Sequence, residues 1–465
     1  MNRSEQAAVH APQYKALVEQ FKKDGVQFLQ SHTVDTNGNL RSKLSPLKLS
    51  ADGDALNAIL YCVSHGDGEP IGDTAFASPL ACDDNGYPNI CALPDPASLR
   101  QHGWRRDTAS VISSGYMLDG APCAVDPRHI LAAADQRLRA QGFQASVALE
   151  YEFGIFTADP ALTREGRFSE LQPWGGTLTN YDLVRSGEYQ DLVAEFMRRL
   201  DSLGIGVSSF VTEYGYGMYE FALTPKPPLE AADDAARAKL HLRELCAEHG
   251  LIATFMTRFQ PPGKHSACGA HHHISLWQDG KPALPASGGC QEISPAGRHF
   301  LAGMLAYMAE THVFFRPTIN SYRRFDRGAW SPQDVSWGFE NRMAAIRAIT
   351  TPNAGACRFE HRLAGADVNP YLTTAAILHA GAAGLERGLE PPAACAGDPQ
   401  GCAGVTPLHA NLSGSLAAFE ASEFCRDSFG AVFHGHYAAS RRNEIDAFET
   451  WQSQRITEFE WQRYF

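Results

Sequence analysis

The sequence predicts an α+β fold in which a small mixed domain precedes a larger one. Three observations carry this reading. Strand patterns come in consecutive pairs rather than alternating singly with helices, and the long helical patterns are segregated from them. The composition also changes near residue 120, from loops rich in Gly, Pro and Asp over 52–104 to long periodic segments. The expected division is 1–120 for the N-terminal domain and 121–465 for the larger domain, since a chain of 465 residues exceeds one simple core.

The elements follow in order. Over 13–30, QYKALVEQFKKDGVQFLQ spaces Leu17, Val18, Phe21 and Val26 as an amphipathic helix does, with Gly25 near its end. Asn37-Gly38 closes a hairpin within HTVDTNGNLRSK. Asp126 caps a helix that begins at Pro127 and stops at Gly142. Further helices are expected over 188–203, 229–249, 294–313 and 370–387. Strands are expected near 146–156, 205–212, 218–224, 252–259, 270–277, 343–349 and 357–363. EPPAACAGDPQGCAG (390–404) reads as a surface loop, and Trp451, Phe459, Trp461 and Phe465 read as helix-packing residues.

Composition narrows the function. With 44% hydrophobic and 20% charged residues, the chain is an ordinary folded protein. A net charge of -12 leaves no excess of Lys and Arg to neutralise phosphates, which argues against nucleic acid and anionic membranes and for a small-molecule substrate. Arg3, Glu5, Lys15, Glu19, Lys22, Lys23 and Asp24 interrupt any apolar run at the start, and no later run of 18 apolar residues exists. A cytoplasmic location is expected. Eleven cysteines without a C-x-x-C pair read as reduced thiols rather than a disulfide framework or zinc site.

Four short strands carry charge on one face. In VALEYEFGIF, Val147, Leu149, Tyr151, Phe153 and Ile155 face one way while Glu150 and Glu152 face the other. TEYGYGMYEFAL adds Glu213 and Glu220 around a glycine-containing turn. SACGAHHHISLW puts His271, His273 and Ser275 on one face and His272 on the opposite one. CRFEHRLA aligns Arg358, Glu360 and Arg362. The wet side of an antiparallel sheet gives the same alternation, but five glutamates, two histidines and several arginines together point to a shared polar cavity. A carboxylate-dominated set suits Mg²⁺ or Mn²⁺ acting on phosphate, and arginines beside it clamp oxyanions. A metal-dependent hydrolase built on H-x-H would need later histidines and an aspartate that the chain lacks.

In this order and spacing the segments resemble the glutamine synthetase family. The similarity runs through nearly all of 90–375: LPDPASLRQHGW, the E-x-E of LEYEF, TEYGYGMYE, FMTRF, GAHHHISLW, NSYRRF, ENRMAAIR and RFEHRLAGADVNPYL. The resemblance implies an N-terminal β-grasp domain and a catalytic domain whose curved antiparallel sheet forms a funnel. It also implies a homo-oligomer, a dodecamer of two stacked hexameric rings with active sites between subunits. Two or more Mg²⁺ or Mn²⁺ ions per site are implied, with ATP, L-glutamate and an amine or ammonia as substrates. By position, Glu152, Glu213 and Glu220 match one metal site and Glu150, His271 and Glu360 the other. His273, Ser275, Arg342, Arg347 and Arg358 match ATP contacts, and Arg324, Arg362 and Ala267 match glutamate contacts. Arg324, Arg342 and Glu152 are the residues that the resemblance makes catalytic. The implied reaction phosphorylates the γ-carboxylate of glutamate and lets a nitrogen nucleophile displace phosphate.

Departures from the family pattern bear on the acceptor. Members that use ammonia carry a glutamate six residues after the glutamate-binding arginine; here Trp330 stands there, in a G-x-W-x-P run from Gly328 to Pro332. That form resembles members that join glutamate to organic amines, including γ-glutamylpolyamine synthetases acting on amines such as putrescine and γ-glutamylmethylamide synthetases. FCRDSFGAVFHGHY and the C-terminal run resemble the polyamine type. Alkyl and aryl amines remain open, as do a synthetase using ammonia and a non-catalytic regulatory relative. Thr257-Arg258, Met218 and Ala267 replace the usual Lys-Pro, Gln and Gly, and Asp67 and Asp73 are both candidates for an N-terminal acidic residue at the amine site.

Overall fold

The computed structural model describes residues 1–47, 53–65, 73–175, 179–260, 267–286, 292–324, 330–402 and 404–464. Asp67 and residues 328 and 329 of the G-x-W-x-P run lie outside the described residues, and Asp73 opens the short strand Asp73–Ala75.

Helix α1 (Arg3–Lys23) starts well before residue 13, where the apolar spacing alone would begin it. The reason is a capping box: the Asn2 side chain accepts from the Glu5 N–H while the Glu5 carboxylate accepts from the Asn2 N–H. Its Tyr14 and Val18 pack on Val26, Leu29, Leu99, Ala109 and Val111. The hairpin strands β1 (Phe28–Val34) and β2 (Leu40–Pro46) turn at Gly38, whose φ of 83° favours glycine. A Cβ there would also lie 2.7 Å from Asn369 Cα, so the hairpin tip presses on the chain at Asn369. With β3 (Asp54–Asn57), β4 (Asn89–Pro94) and β5 (Thr108–Tyr116) the order is β2-β1-β5-β4-β3, and β1 runs parallel to β5.

Asp126 caps α2 (Pro127–Arg139) by accepting from the Arg128 N–H at 2.7 Å. The second sheet uses β6 (Gln144–Thr157), β7 (Val207–Thr212), β8 (Met218–Leu223), β9 (Leu251–Thr254), β10 (Ala270–Gln278), β11 (Trp337–Phe339), β12 (Ile346–Ile349) and β13 (Arg358–His361). It curls in the order β7-β8-β6-β10-β13-β12-β11, with β9 beside one end of β6. The pairing is antiparallel except between β11 and β12. Helices α3 (Leu183–Ser202), α4 (Pro228–Glu248), α5 (Pro295–Ala306), α6 (Met308–Phe315) and α7 (Pro370–Arg387) cover one side. The segment expected as one helix over 294–313 breaks at Tyr307, whose ψ of 8° ends α5.

Val147, Leu149, Tyr151, Phe153 and Ile155 are all buried beneath those helices, each worth about 1.5–3 kcal/mol of apolar burial. Glu150 and Glu152 therefore face the hollow of the sheet. The chain closes with α8 (Leu412–Ala421), α9 (Glu423–Phe429), α10 (Ala431–Ser453) and α11 (Glu458–Tyr464). Of the C-terminal aromatics, Trp451 on α10 stacks with Phe448 and lies under Arg455, Phe459 and Trp461 are exposed on α11, which buries no residue of its own, and Phe465 lies outside the described residues. The described cysteines are free thiols and mostly buried, and no described helix is long and apolar enough to cross a membrane.

Candidate active site

Strand register gathers the charged residues. His271 pairs with Glu150 and Glu220 pairs with Glu152 across β6, while His273 and Arg347 both pair with Glu360 on β13. The side chains then meet in the hollow. His271 Nδ1 lies 2.7 Å from Glu150 and 3.6 Å from Glu360, and His273 Nε2 lies 3.6 Å from Glu150. Glu150, His273 and Glu360 each offer an atom within 4.8 Å of the others, a spacing that suits one cation. Glu360 also accepts from Arg347 Nη1 at 3.1 Å and from Arg362. Arg358 Nε donates to His273 Nδ1 at 3.1 Å, which turns Nε2 toward the carboxylates. Arg324 is buried, donates to the Arg362 and Ala364 carbonyls, and approaches His271 Nε2 at 3.3 Å. Gly269 makes room for this contact, since a Cβ would lie 2.6 Å from Arg324 Nη2.

The two ends of the hollow differ electrically. Burial works to raise Glu150, but hydrogen bonds from His271 and His273 hold it well below the usual carboxylate range. Burial also opposes Glu360, yet Arg362, with His271 and His273, brings it down to about 2. At the other end carboxylate faces carboxylate, Glu220 pairing with Glu152 across the strands. Burial, then the charge of Glu152, push Glu213 up to about 8; burial, then Glu150, Glu152 and Glu213, push Glu220 up to about 10. Oxygen donors that repel one another in this way fit a hard divalent cation, which offsets the repulsion.

A pH-dependent metal effect follows. Glu213 and Glu220 hold protons more tightly folded than unfolded, so the stability they contribute to the metal-free protein is fully present only below the usual carboxylate range. That stability is lost as pH rises through about 8 and then about 10. A cation on these oxygens displaces those protons. Added Mg²⁺ or Mn²⁺ is therefore expected to raise Tm more near pH 8 than near pH 6, and equal shifts at both would show that these two carboxylates do not engage it.

Ser275 lies further along β10, where its Oγ accepts from Trp277 Nε1 at 3.0 Å. A cavity of about 490 Å³ opens here, lined by Glu150, His273, Ser275, Trp277 and Arg358 among others. Ala267 is buried just before β10. Arg342 is exposed, and its carbonyl accepts from Arg362 Nε at 3.1 Å. Trp330 stands apart from the charged network; it is 62% exposed and shares a small cleft with Pro332, Asp334, Met343 and Asp398.

Two residues at the site were assigned no role from the sequence, although Glu340 opens the quoted ENRMAAIR run. Glu340 pairs with Arg347 from outside the strands, and Tyr181 has a φ of 54° with its N–H donated to Thr212 O, the residue before Glu213. Both lie in loops outside the strands, where alternation assigns no facing direction. His272, by contrast, follows the alternation: it is fully buried, with Nδ1 on the Ala270 carbonyl and Nε2 on Thr373 Oγ1, and burial lowers it to about 3. His272→Ala is expected to lower Tm through the cavity it leaves while kcat per folded molecule changes by less than about tenfold. A loss equal to that from Glu360→Ala in a steady-state assay would contradict this.

The model of the glutamine synthetase catalytic domain matches residues 124–464. The chain belongs to the glutamine synthetase family. Ligases of this family use ATP and divalent metals, and the donor set above fits such metals. Among curated relatives, a glutamate–isopropylamine ligase from a Pseudomonas species is 33% identical over 78% of this chain and 79% of its own length. The γ-glutamylethanolamide synthetase GlnA4 of Streptomyces coelicolor is 32% identical over 82% of this chain and 80% of its own. The solved GmaS/ADP complex superposes with a TM-score of 0.80 at 25% identity, covering 96% of this chain and 98% of that one. Family membership accounts for the curled sheet and for the charge collected in its hollow.

Proposed function

We propose that the chain is an ATP-dependent ligase that forms a γ-glutamyl amide from L-glutamate and an organic amine. One observation carries the amine over ammonia: an uncharged, exposed indole, Trp330, stands where ammonia-using family members carry a carboxylate. The similarity to a glutamate–isopropylamine ligase and a γ-glutamylethanolamide synthetase supports it.

Glu152, Glu213 and Glu220 would hold one divalent cation, Mg²⁺ or Mn²⁺, and Glu150, His271 and Glu360 another, with His273 within reach of the second. Bound there, such ions neutralise phosphate charge. His273, Ser275 and Arg358 border the cavity that would take the nucleotide, and Arg342 and Arg347 extend the cationic side toward its phosphates. Arg324 and Arg362 would hold glutamate, with Ala267 in place of the usual glycine beside it. With glutamate fixed, its γ-carboxylate oxygen attacks the γ-phosphorus and ADP leaves. The arginines offset the charge that builds on the transferred phosphoryl group. The amine nitrogen then attacks the acyl carbon of γ-glutamyl phosphate, phosphate departs, and the ammonium proton is lost to the anionic pocket or solvent.

The reading extends to a β-grasp domain over 1–120 and a catalytic domain over 121–465. It also includes ring assembly with sites shared between subunits and a cytoplasmic workplace. The test is phosphate release from ATP with glutamate and Mg²⁺ or Mn²⁺, measured with ammonia, methylamine, isopropylamine, ethanolamine and putrescine. Release with an amine and little with ammonia is expected. Release with ammonia alone would make the chain a glutamine synthetase, and none with any acceptor would favour a regulatory relative.

A further inference from the structure

Glu340 stands where its backbone alone does not explain it. It follows β11 directly with a φ of 51°, a left-handed conformation that glycine adopts freely and asparagine tolerates. A glutamate is strained there, so the turn by itself does not call for one. The turn is also held without the carboxylate. The Glu340 N–H donates to the Ala348 carbonyl at 3.0 Å, and Asn341 Nδ2 donates to the Cys395 and Gly397 carbonyls at 2.9 and 2.8 Å. Gly338 lets β11 lie against that loop, since a Cβ would run into the Cys395 carbonyl oxygen.

The carboxylate holds one edge of Arg347. Its Oε2 accepts from Arg347 Nε at 3.0 Å and from Nη2 as well, while Nη1 donates to Glu360 Oε2 at 3.1 Å. The strands set this up, because Arg347 on β12 lies opposite Gly338 of β11 on one side and opposite Glu360 of β13 on the other. Burial works to lower the guanidinium, and its hydrogen bonds to Glu340, then the charge of Glu360, raise it. One arginine is thus divided between two carboxylates. Released from Glu340, the planar fork is free to close on both oxygens of Glu360 and to occupy the lone pairs that a cation needs. Held at Nε, it meets Glu360 through a single nitrogen.

We propose that Glu340 is a positioning residue for phosphoryl transfer: it keeps Arg347 turned toward the nucleotide phosphates and off Glu360. This role rests on the ligase reading, in which Arg347 serves those phosphates. It also gives the strained backbone a purpose, since a residue with this carboxylate is needed at a point where glycine would otherwise fit better.

The test uses the full chain with Glu340→Gly, which relieves the backbone and removes the carboxylate, and Glu340→Gln, which keeps the length and removes the charge. The Glu340 side chain is 45% exposed, so its ion pair contributes little to stability, and the Tm of Glu340→Gly is expected within about two degrees of the wild type. In the phosphate-release assay, kcat/KM for MgATP is expected to fall by about tenfold or more in Glu340→Gly and in the same direction in Glu340→Gln, while KM for glutamate stays within about twofold. Because Glu340 acts through Arg347, adding Glu340→Gly to Arg347→Ala is expected to cost less than about twofold further. Should Glu340→Gly fold poorly, Glu340→Gln carries the comparison. Unchanged MgATP kinetics, or the full loss again in the double variant, would overturn the role. If the wild type releases no phosphate with any acceptor, the ligase reading fails by itself, and calorimetric titration with MgATP decides this one: weaker binding by the Glu340 variants supports it, and equal binding overturns it.

Discussion

Glu360→Ala is expected to reduce ligase turnover by about 10³-fold or more, at the scale of losing a principal electrostatic group. Glu360 is 2% exposed and is the point where the two sides of the hollow meet. It faces Arg347 and Arg362 on one side and His271 on the other, and it shares the three-atom cluster with Glu150 and His273. Removing it strips one cation site of a carboxylate and leaves the buried Arg362 without its partner. Alanine will therefore cost stability as well as activity. Glu360→Gln separates the two effects, because it keeps the volume and an acceptor for the arginines but removes the charge. Turnover in Glu360→Gln is expected to fall nearly as far while Tm falls less than in Glu360→Ala, since one oxygen still accepts from an arginine. Substantial phosphate release by a folded Glu360→Gln protein, across a range of Mg²⁺ and Mn²⁺ concentrations, would defeat the role assigned to Glu360.

The residues most legible in the sequence were those on strands buried on one face. A period of two in VALEYEF leaves a single way to bury Tyr151 and Phe153, so the direction of Glu150 and Glu152 follows. The same logic separates His272 from His271 and His273. Segments governed by a single polar contact were harder to read. The start of α1 depends on the Asn2–Glu5 capping box rather than on apolar spacing. The strand expected over 343–349 begins only at Ile346, beside the short parallel strand β11, which the pattern did not indicate. The partition of the histidines came from the family resemblance and not from spacing. The side chains set both His271 and His273 close to Glu150, a proximity that strand alternation alone leaves undetermined.

Trp330→Glu is expected to shift the ratio of kcat/KM for ammonium over isopropylamine or ethanolamine toward ammonium by on the order of a hundredfold. The argument begins with the backbone. Trp330 has a φ of 51°, a conformation unfavourable for any residue with a Cβ. Exchanging one such residue for another leaves that cost nearly unchanged, so the comparison isolates the side chain. A carboxylate attracts a small ammonium ion and restores the charge that ammonia-using family members carry at this position. It also removes the apolar surface on which the alkyl group of an amine would rest, and an exposed indole offers both area and a cation–π face for an alkylammonium. Trp330→Phe retains the apolar face and most of that attraction, and its preference for the amine is expected to stay near the wild type. If Trp330→Glu and Trp330→Phe alter the ratio equally, packing of the cleft formed with Pro332, Met343 and Asp398 governs the effect. If neither alters it, the acceptor is selected elsewhere, and Tyr181, pinned beside Glu213 by its bond to Thr212, becomes the next position to substitute.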